Sequence, residues 1–159
     1  MPLPRWLPLL LAVAAFGCAG CSSSLPVLGH GAGKITVSLA GAPDCNDCRT
    51  RTASSLKVRI FQVADSSAIR TTLNNKTLGW SKQLEVAAAN VLGKPVEQYV
   101  GPGTSSSVVV DVDPKATALV IEGNFCEKSA AEWYFIHPAR NKSVSLRAGA
   151  TGFTLNGRK

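Results

Sequence analysis

The side chains with the most chemistry to offer are cysteines and histidines. Cys45-Asn46-Asp47-Cys48 has the two-residue spacing of a redox pair or of half a zinc site, and Cys126 and His137 lie further along the chain. A redox pair calls for a strand-to-helix setting, whereas this one sits beside Pro43 and Asp44 in the composition of a polar loop. For zinc, Cys126 and His137 would have to complete the ligand set without a second closely spaced pair, so no metal is expected. A structural disulfide is the favoured reading, either Cys45 to Cys48 within the loop or one of them to Cys126. The long-range option closes a loop of about eighty residues, for which chain entropy contributes up to ~4.5 kcal/mol. His30 and His137 each lack a neighbouring acid and nucleophile of the triad kind. Ser105-Ser106-Ser107 lacks the elbow pattern of a hydrolase, and Glu122, Glu127 and Glu132 read as a solvated rim. With no phosphate loop or dinucleotide fingerprint, the chain reads as a non-enzyme with no cofactor and no small-molecule substrate.

Cys18 and Cys21 belong to a different chemistry. They close a leader that carries a single cation, Arg5, and then runs uncharged from Trp6 to Phe16. That run is shorter than the ~20 residues a membrane-spanning helix needs, but it has the length of a secretory signal's apolar region. A small residue directly before each cysteine, Gly17-Cys18 and Gly20-Cys21, resembles the lipobox of bacterial lipoproteins. Cleavage there leaves a cysteine as the new first residue, carrying a covalent lipid. Cys18 is favoured because it places apolar Ala15 at the third position upstream; Cys21 is the alternative. Neither choice puts aspartate second in the mature chain, which points to the periplasmic face of an outer membrane.

The formal charge of +7 admits an anionic partner. Lys57, Arg59, Arg70, Lys76 and Lys82 are scattered singly, however, and export argues further against nucleic acid. A solvated surface of mixed sign is the favoured reading.

These residues need a scaffold, and its pattern is readable. Residues 1–21 form the signal peptide and lipobox, 22–33 a flexible tether of Ser, Gly and Pro, and 34–159 a single folded domain. Apolar residues alternate from Lys34 to Ala40 and from Leu56 to Val63, predicting half-buried strands around a long polar loop, Gly41 to Ser54. Further strands are expected at Ser107–Val112, Thr117–Phe125, Trp133–Ile136, Ser143–Leu146 and Gly152–Leu155. Between them, Ser67 can cap a short helix through Ile69 and Leu73. A second helix from Lys82 to Leu92 would present Leu84, Ala87, Ala88 and Val91 as a stripe and stop at Gly93. The fold class is therefore mainly β, an antiparallel β-sandwich with a helical insertion at about 66–93.

At Arg59-Ile60-Phe61-Gln62-Val63 the chain resembles the type VI secretion outer-membrane lipoproteins (the TssJ or SciN family), which carry an Arg-apolar-Tyr-Gln-Leu strand there. A short helix follows in the family, comparable to Ala68–Leu73, then a Pro-Gly turn before a strand, matched by Pro102-Gly103 and Val108-Val109-Val110. An apolar strand ending near a tryptophan is matched by Leu119–Phe125 and Trp133, while Phe61 and Val63 stand where the family has Tyr and Leu. The resemblance implies a transthyretin-like sandwich and a structural role: anchoring a trans-envelope complex by binding the periplasmic part of the inner-membrane protein TssM. It also implies that the loop between the first two strands makes part of that contact, so Asp44, Asn46, Asp47, Arg49 and Arg51 become candidate contacts. The competing reading is a pilotin-type or carbohydrate-binding lipoprotein of another envelope system. Trp80, Trp133 and Tyr134 are few for a sugar site.

Overall fold

A computed structural model describes residues 33–48, 52–73, 90–127 and 132–156. The leader with Cys18 and Cys21, tether residues 22–32 and the expected second helix up to residue 89 lie outside the described residues.

Strand and helix order is β1 Lys34–Gly41, β2 Leu56–Val63, α1 Ser66–Leu73, β3 Val91–Val100, β4 Ser105–Asp111, β5 Ala118–Gly123, β6 Tyr134–Pro138, β7 Ser143–Ala148 and β8 Phe153–Leu155. The strands form two four-stranded sheets, ordered β4-β1-β7-β8 and β3-β2-β5-β6. Neighbours are antiparallel except β1 and β7, which run parallel. The alternation seen in the sequence is what closes the core. Ile35, Val37 and Leu39 of β1 face Leu56, Val58 and Ile60 of β2 across the sandwich, all at 2% exposure or less. Each such side chain contributes roughly 1.5–3 kcal/mol on leaving water. Val100, Leu119, Ile121 and Leu146 complete the middle layer.

The two outer faces differ. In register across the first sheet, Ser38 lies beside Ser107 and Ser145, which makes an open face of small hydroxyl side chains. In the second sheet β5 is buried throughout, so Val120 and Glu122 are covered although they point opposite to Leu119 and Ile121. Covering on both faces explains why this strand reads as continuously apolar rather than alternating. Glu122, expected on a solvated rim, is instead an interior carboxylate. Arg59 meets its Oε2 through Nε at 3.1 Å and through a terminal nitrogen at 2.9 Å. The guanidinium also lies 5.5 Å from the Phe61 ring centre. Gln62 ties the sheets together: its Nε2 donates to the Asp111 carbonyl at 2.9 Å and its Oε1 accepts from the Asp113 N–H at 2.6 Å.

Two expectations about the region after β2 are corrected. The cap of α1 is Asp65, not Ser67. Its Oδ1 accepts from the backbone N–H groups of Ser67 and Ala68 and from the Ser67 hydroxyl, and those bonds hold its carboxyl below the usual range. Ile69 and Leu73, one turn apart, join the buried cluster as expected. Val91 and Leu92 are not the last turn of a helix but the start of edge strand β3. Gly93 reads as a helix stop in the sequence, and Pro95 follows it. In the fold they are absorbed by a bulge, because β2 pairs Ile60 with Val96 and Gln62 with Leu92, and Gly93 takes a φ of 68°.

The topology gathers the loops at two poles. At one end lie the β1–β2 loop, the 101–104 turn, the β5–β6 loop and the 149–152 turn. At the other end, Gly33 leads into β1, and the 112–117 and 139–142 connections lie beside it.

Candidate functional site

The pole built around the β1–β2 loop holds the residues singled out by the sequence. Its foundation is a close approach of backbones. Gly41 lacks the Cβ that would collide with the Gly101 carbonyl, so its N–H donates to Thr104 O at 2.8 Å and its carbonyl accepts from Gly103 at 3.0 Å. Gly103, at φ 67°, supplies the turn. The loop then leaves the sheet through Ala42, whose N–H bonds to Ala148 O at 2.8 Å, and turns at Pro43-Asp44 with Cys45 N donating to Ala42 O at 2.9 Å.

Asn46 is the centre of the pole. It sits in the left-handed region at φ 49° and is 5% exposed. Its Nδ2 donates to Ser54 Oγ at 2.9 Å and to Ser55 O at 3.2 Å, while its Oδ1 accepts from Cys126 N at 2.8 Å. Its own N–H reaches Gly149 O at 2.9 Å, and its carbonyl accepts from the Ser54 hydroxyl at 3.0 Å. One side chain thus connects both ends of its own loop to the β5–β6 loop. This corrects its expected role: Asn46 has no side-chain surface to offer a partner, because its amide is spent inside.

The cysteines divide in a way the spacing does not show. Cys48 is bonded to Cys126 across a sequence separation of 78, with Cα atoms 5.3 Å apart. Cys45 is a free thiol, fully buried, with Sγ 3.9 Å from Val100 O. Burial pushes that thiol up, and the charge of Asp44 adds to the shift, so it is held as an unreactive thiol. The two-residue motif is therefore neither an internal disulfide nor a redox pair. The sulfurs of Cys48 and Cys126 are committed to each other, and His137 lies at the other end of the sandwich, paired with Leu119 and bonded through Nε2 to Asn141 O at 3.3 Å. The cysteine–histidine zinc set is not brought together.

Among the described residues, the loops of this pole carry four carboxylates. Asp44 is exposed at the turn, Asp47 is half-buried, and Glu127 and Glu132 are exposed on the adjoining loop. Arg49 and Arg51 lie outside the described residues. Trp133 does not offer a stacking platform: it is 5% exposed and packs edge-on against Tyr134 with ring centres 5.0 Å apart. The arrangement is a loop pinned at three places, by Asn46, by the disulfide and by the Gly41 turn, which holds polar side chains in fixed positions. Pinning of this kind lowers the ordering cost of binding a partner.

The comparisons with known proteins agree with this architecture. The model of the T6SS-SciN family (type VI secretion lipoprotein, VasD, EvfM, TssJ, VC_A0113) matches residues 33–154. The chain belongs to the type VI secretion lipoprotein family. Among solved structures, it is similar to the type VI lipoprotein TssJ1 of Pseudomonas aeruginosa, at 13% identity and a TM-score of 0.64, over 80% of this chain and 97% of that one. Lip of Serratia marcescens, a membrane-bound component of the type VI secretion system, matches at 10% identity and a TM-score of 0.63, over 80% and 98% of the two chains. A structure of the TssM C-terminal domain from EAEC matches at 14% identity and a TM-score of 0.65, over 79% and 98%. No curated protein matches the sequence. The shared fold is the transthyretin-like sandwich, kept at 10–14% identity.

Proposed function

We propose that this protein is the lipid-anchored outer-membrane component of a type VI secretion system, holding the trans-envelope complex by binding the periplasmic part of a TssM-like protein. The observation that carries this reading is the family match across residues 33–154, which spans both sheets and the pinned loop. The likeness to a structure of a TssM C-terminal domain supports the choice of partner. Within the fold, the loop pole suits a docking role, because exposed Asp44 and half-buried Asp47 are carried by a segment already held by Asn46 and the disulfide. The lipid is placed on Cys18, with Cys21 as the alternative.

A pull-down with the periplasmic domain of the TssM-like protein tests the assignment. The wild-type chain is expected to retain that domain, and the double variant Asp44→Ala, Asp47→Ala to retain at least about tenfold less, as loss of polar groups at an interface centre does. Undiminished retention would remove this loop from the interface. No retention by the wild type would remove the partner.

A further inference from the structure

The pole opposite the pinned loop carries a feature that the docking role does not use. Where Gly33 leads into β1, a cleft of about 520 Å³ is lined by Gly33, Lys34, Ile35, Ala139, Arg140, Asn141 and Lys142. Three of those side chains are cations and none is an acid. Backbone bonds fix its shape: Thr36 N donates to Lys142 O at 3.0 Å and Asn141 N to Pro138 O at 3.1 Å. Lys34 shares its charge with Asp111 at 2.7 Å on the flank of the cleft. Arg140 and Lys142 are exposed and make no ion pair among the described residues. Among the described residues, the other carboxylates of this pole are engaged elsewhere, Asp113 with Lys115 N at 2.8 Å and Asp65 at the start of α1.

The position of this cleft decides what it meets. It opens beside the residue through which the chain continues toward Cys18 and Cys21. About fifteen residues separate Cys18 from Gly33, a span of at most ~50 Å when fully extended. Ser/Gly-rich coils of that length have a root-mean-square reach of about 20 Å, and starting from Cys21 changes this little. A lipid on either cysteine therefore lets these cations reach a headgroup surface, where electrostatic attraction falls off over about 8 Å at physiological salt.

We propose that the Lys34–Arg140–Lys142 cleft docks on anionic phospholipid headgroups of the membrane that holds the lipid anchor, so that the sandwich stands on this pole. The proposal rests on the lipid-anchor reading for its biological setting but not for its test. Its consequence is orientational. β1 has eight residues and is about 25 Å long, so docking at its first residue points the pinned loop at its far end away from the membrane and toward the periplasm.

The test uses the mature chain with Cys18 and Cys21 both changed to Ser, which carries no lipid, mixed at low salt with phosphatidylglycerol vesicles or with phosphatidylcholine vesicles and sedimented. Binding to the anionic vesicles alone is expected. Each cation near such a surface adds about fivefold, so Arg140→Gln with Lys142→Gln should lower partitioning about 25-fold. Lys57→Gln with Arg147→Gln removes the same formal charge from the loop half and should change partitioning by no more than about twofold. Arg140→Lys with Lys142→Arg, which keeps both charges, should bind as the parent does and guards against a folding defect. Equal losses in the two neutralised variants, or equal binding to phosphatidylcholine, would overturn the proposal. So would release by inorganic phosphate at constant ionic strength, which would assign the cleft to a small free anion. Failure of lipidation in cells leaves every one of these outcomes unaffected.

Discussion

Asn46 shows how one residue type at one position can do work that its surroundings in sequence conceal. Asparagine tolerates the left-handed backbone, and its amide offers donors to the end of its own loop and an acceptor to the β5–β6 loop. Asn46→Ala removes the acceptor for the Cys126 N–H and leaves the Cβ at φ 49° without the amide bonds that compensate it. A loss of about 2–3 kcal/mol is expected in urea unfolding. Asn46→Gly forgoes the same bonds but relieves the backbone, so it should fall between the two by about 1 kcal/mol. Equal stability of the alanine variant and the parent would contradict the staple. Cys45 gives the complementary case. As a buried thiol whose ionisation is suppressed, it should resist iodoacetamide in the native protein and react on unfolding, which mass mapping of the alkylated chain resolves. Alkylation under native conditions at the rate of a free peptide thiol would show that the site opens.

His137 sets a pH dependence at the same scale. Desolvation lowers its pKa in the fold, and the hydrogen bond to Asn141 O opposes that only in part. The unfolded chain therefore binds the proton more readily than the folded one does. The histidine's contribution to stability is fully present above its unfolded value of 6.5 and is lost as pH falls through the lower folded pKa. Thermal midpoints should drop between pH 7 and pH 5, and His137→Gln should flatten that part of the profile. An unchanged slope in the variant would assign the acid sensitivity to other groups.

At the scale of elements, strands with one dry face were legible and features set by tertiary partners were not. Leu56–Val63 appears in the sequence with its final bounds, because alternation and the flanking polar loop both mark it. β3 did not appear, because an edge strand needs little burial and can absorb Gly93 and Pro95 in a bulge that only its pairing with β2 reveals. The β1–β2 loop was legible as a long polar loop holding cysteines. Which cysteine bonds to Cys126 depends on Cys45 turning into the core beside Val100, a fact of packing. Glu122 likewise read as rim because nothing in its own segment announces Arg59 on the neighbouring strand. The disulfide is the element-scale device with the clearest measurable effect. Changing Cys48 and Cys126 together to Ser should cost up to ~4.5 kcal/mol by the loop-closure argument for a separation of 78. Dithiothreitol should lower the parent's thermal midpoint and leave the double variant's unchanged, since Cys126 is exposed to reductant.

At the scale of the whole molecule, the proposed anchoring and docking roles fall at opposite ends of the strands. The basic cleft lies at one pole, where Gly33 enters β1, and the pinned loop at the other, with a core between them whose central side chains are 0–2% exposed. A core of that density transmits little change from one pole to the other unless the fold itself opens. Anchoring and partner binding should then fail independently. At high salt, where the cleft's electrostatic attraction is screened, the Cys18→Ser, Cys21→Ser chain is expected to leave the membrane fraction while keeping the parent's affinity for the TssM-like periplasmic domain. The Asp44→Ala, Asp47→Ala chain is expected to stay with the membrane and lose that affinity. Fractionation and pull-down on the same four samples (parent, each variant and the combination) measure both properties at once. If the unlipidated chain also loses the partner in solution, where no membrane is present, the two poles are coupled and the division of labour along the strands is wrong. If instead both losses stay separate and the combined variant shows their simple sum, the rigid sandwich acts as a spacer, and additivity of that kind is what distant sites without shared contacts give.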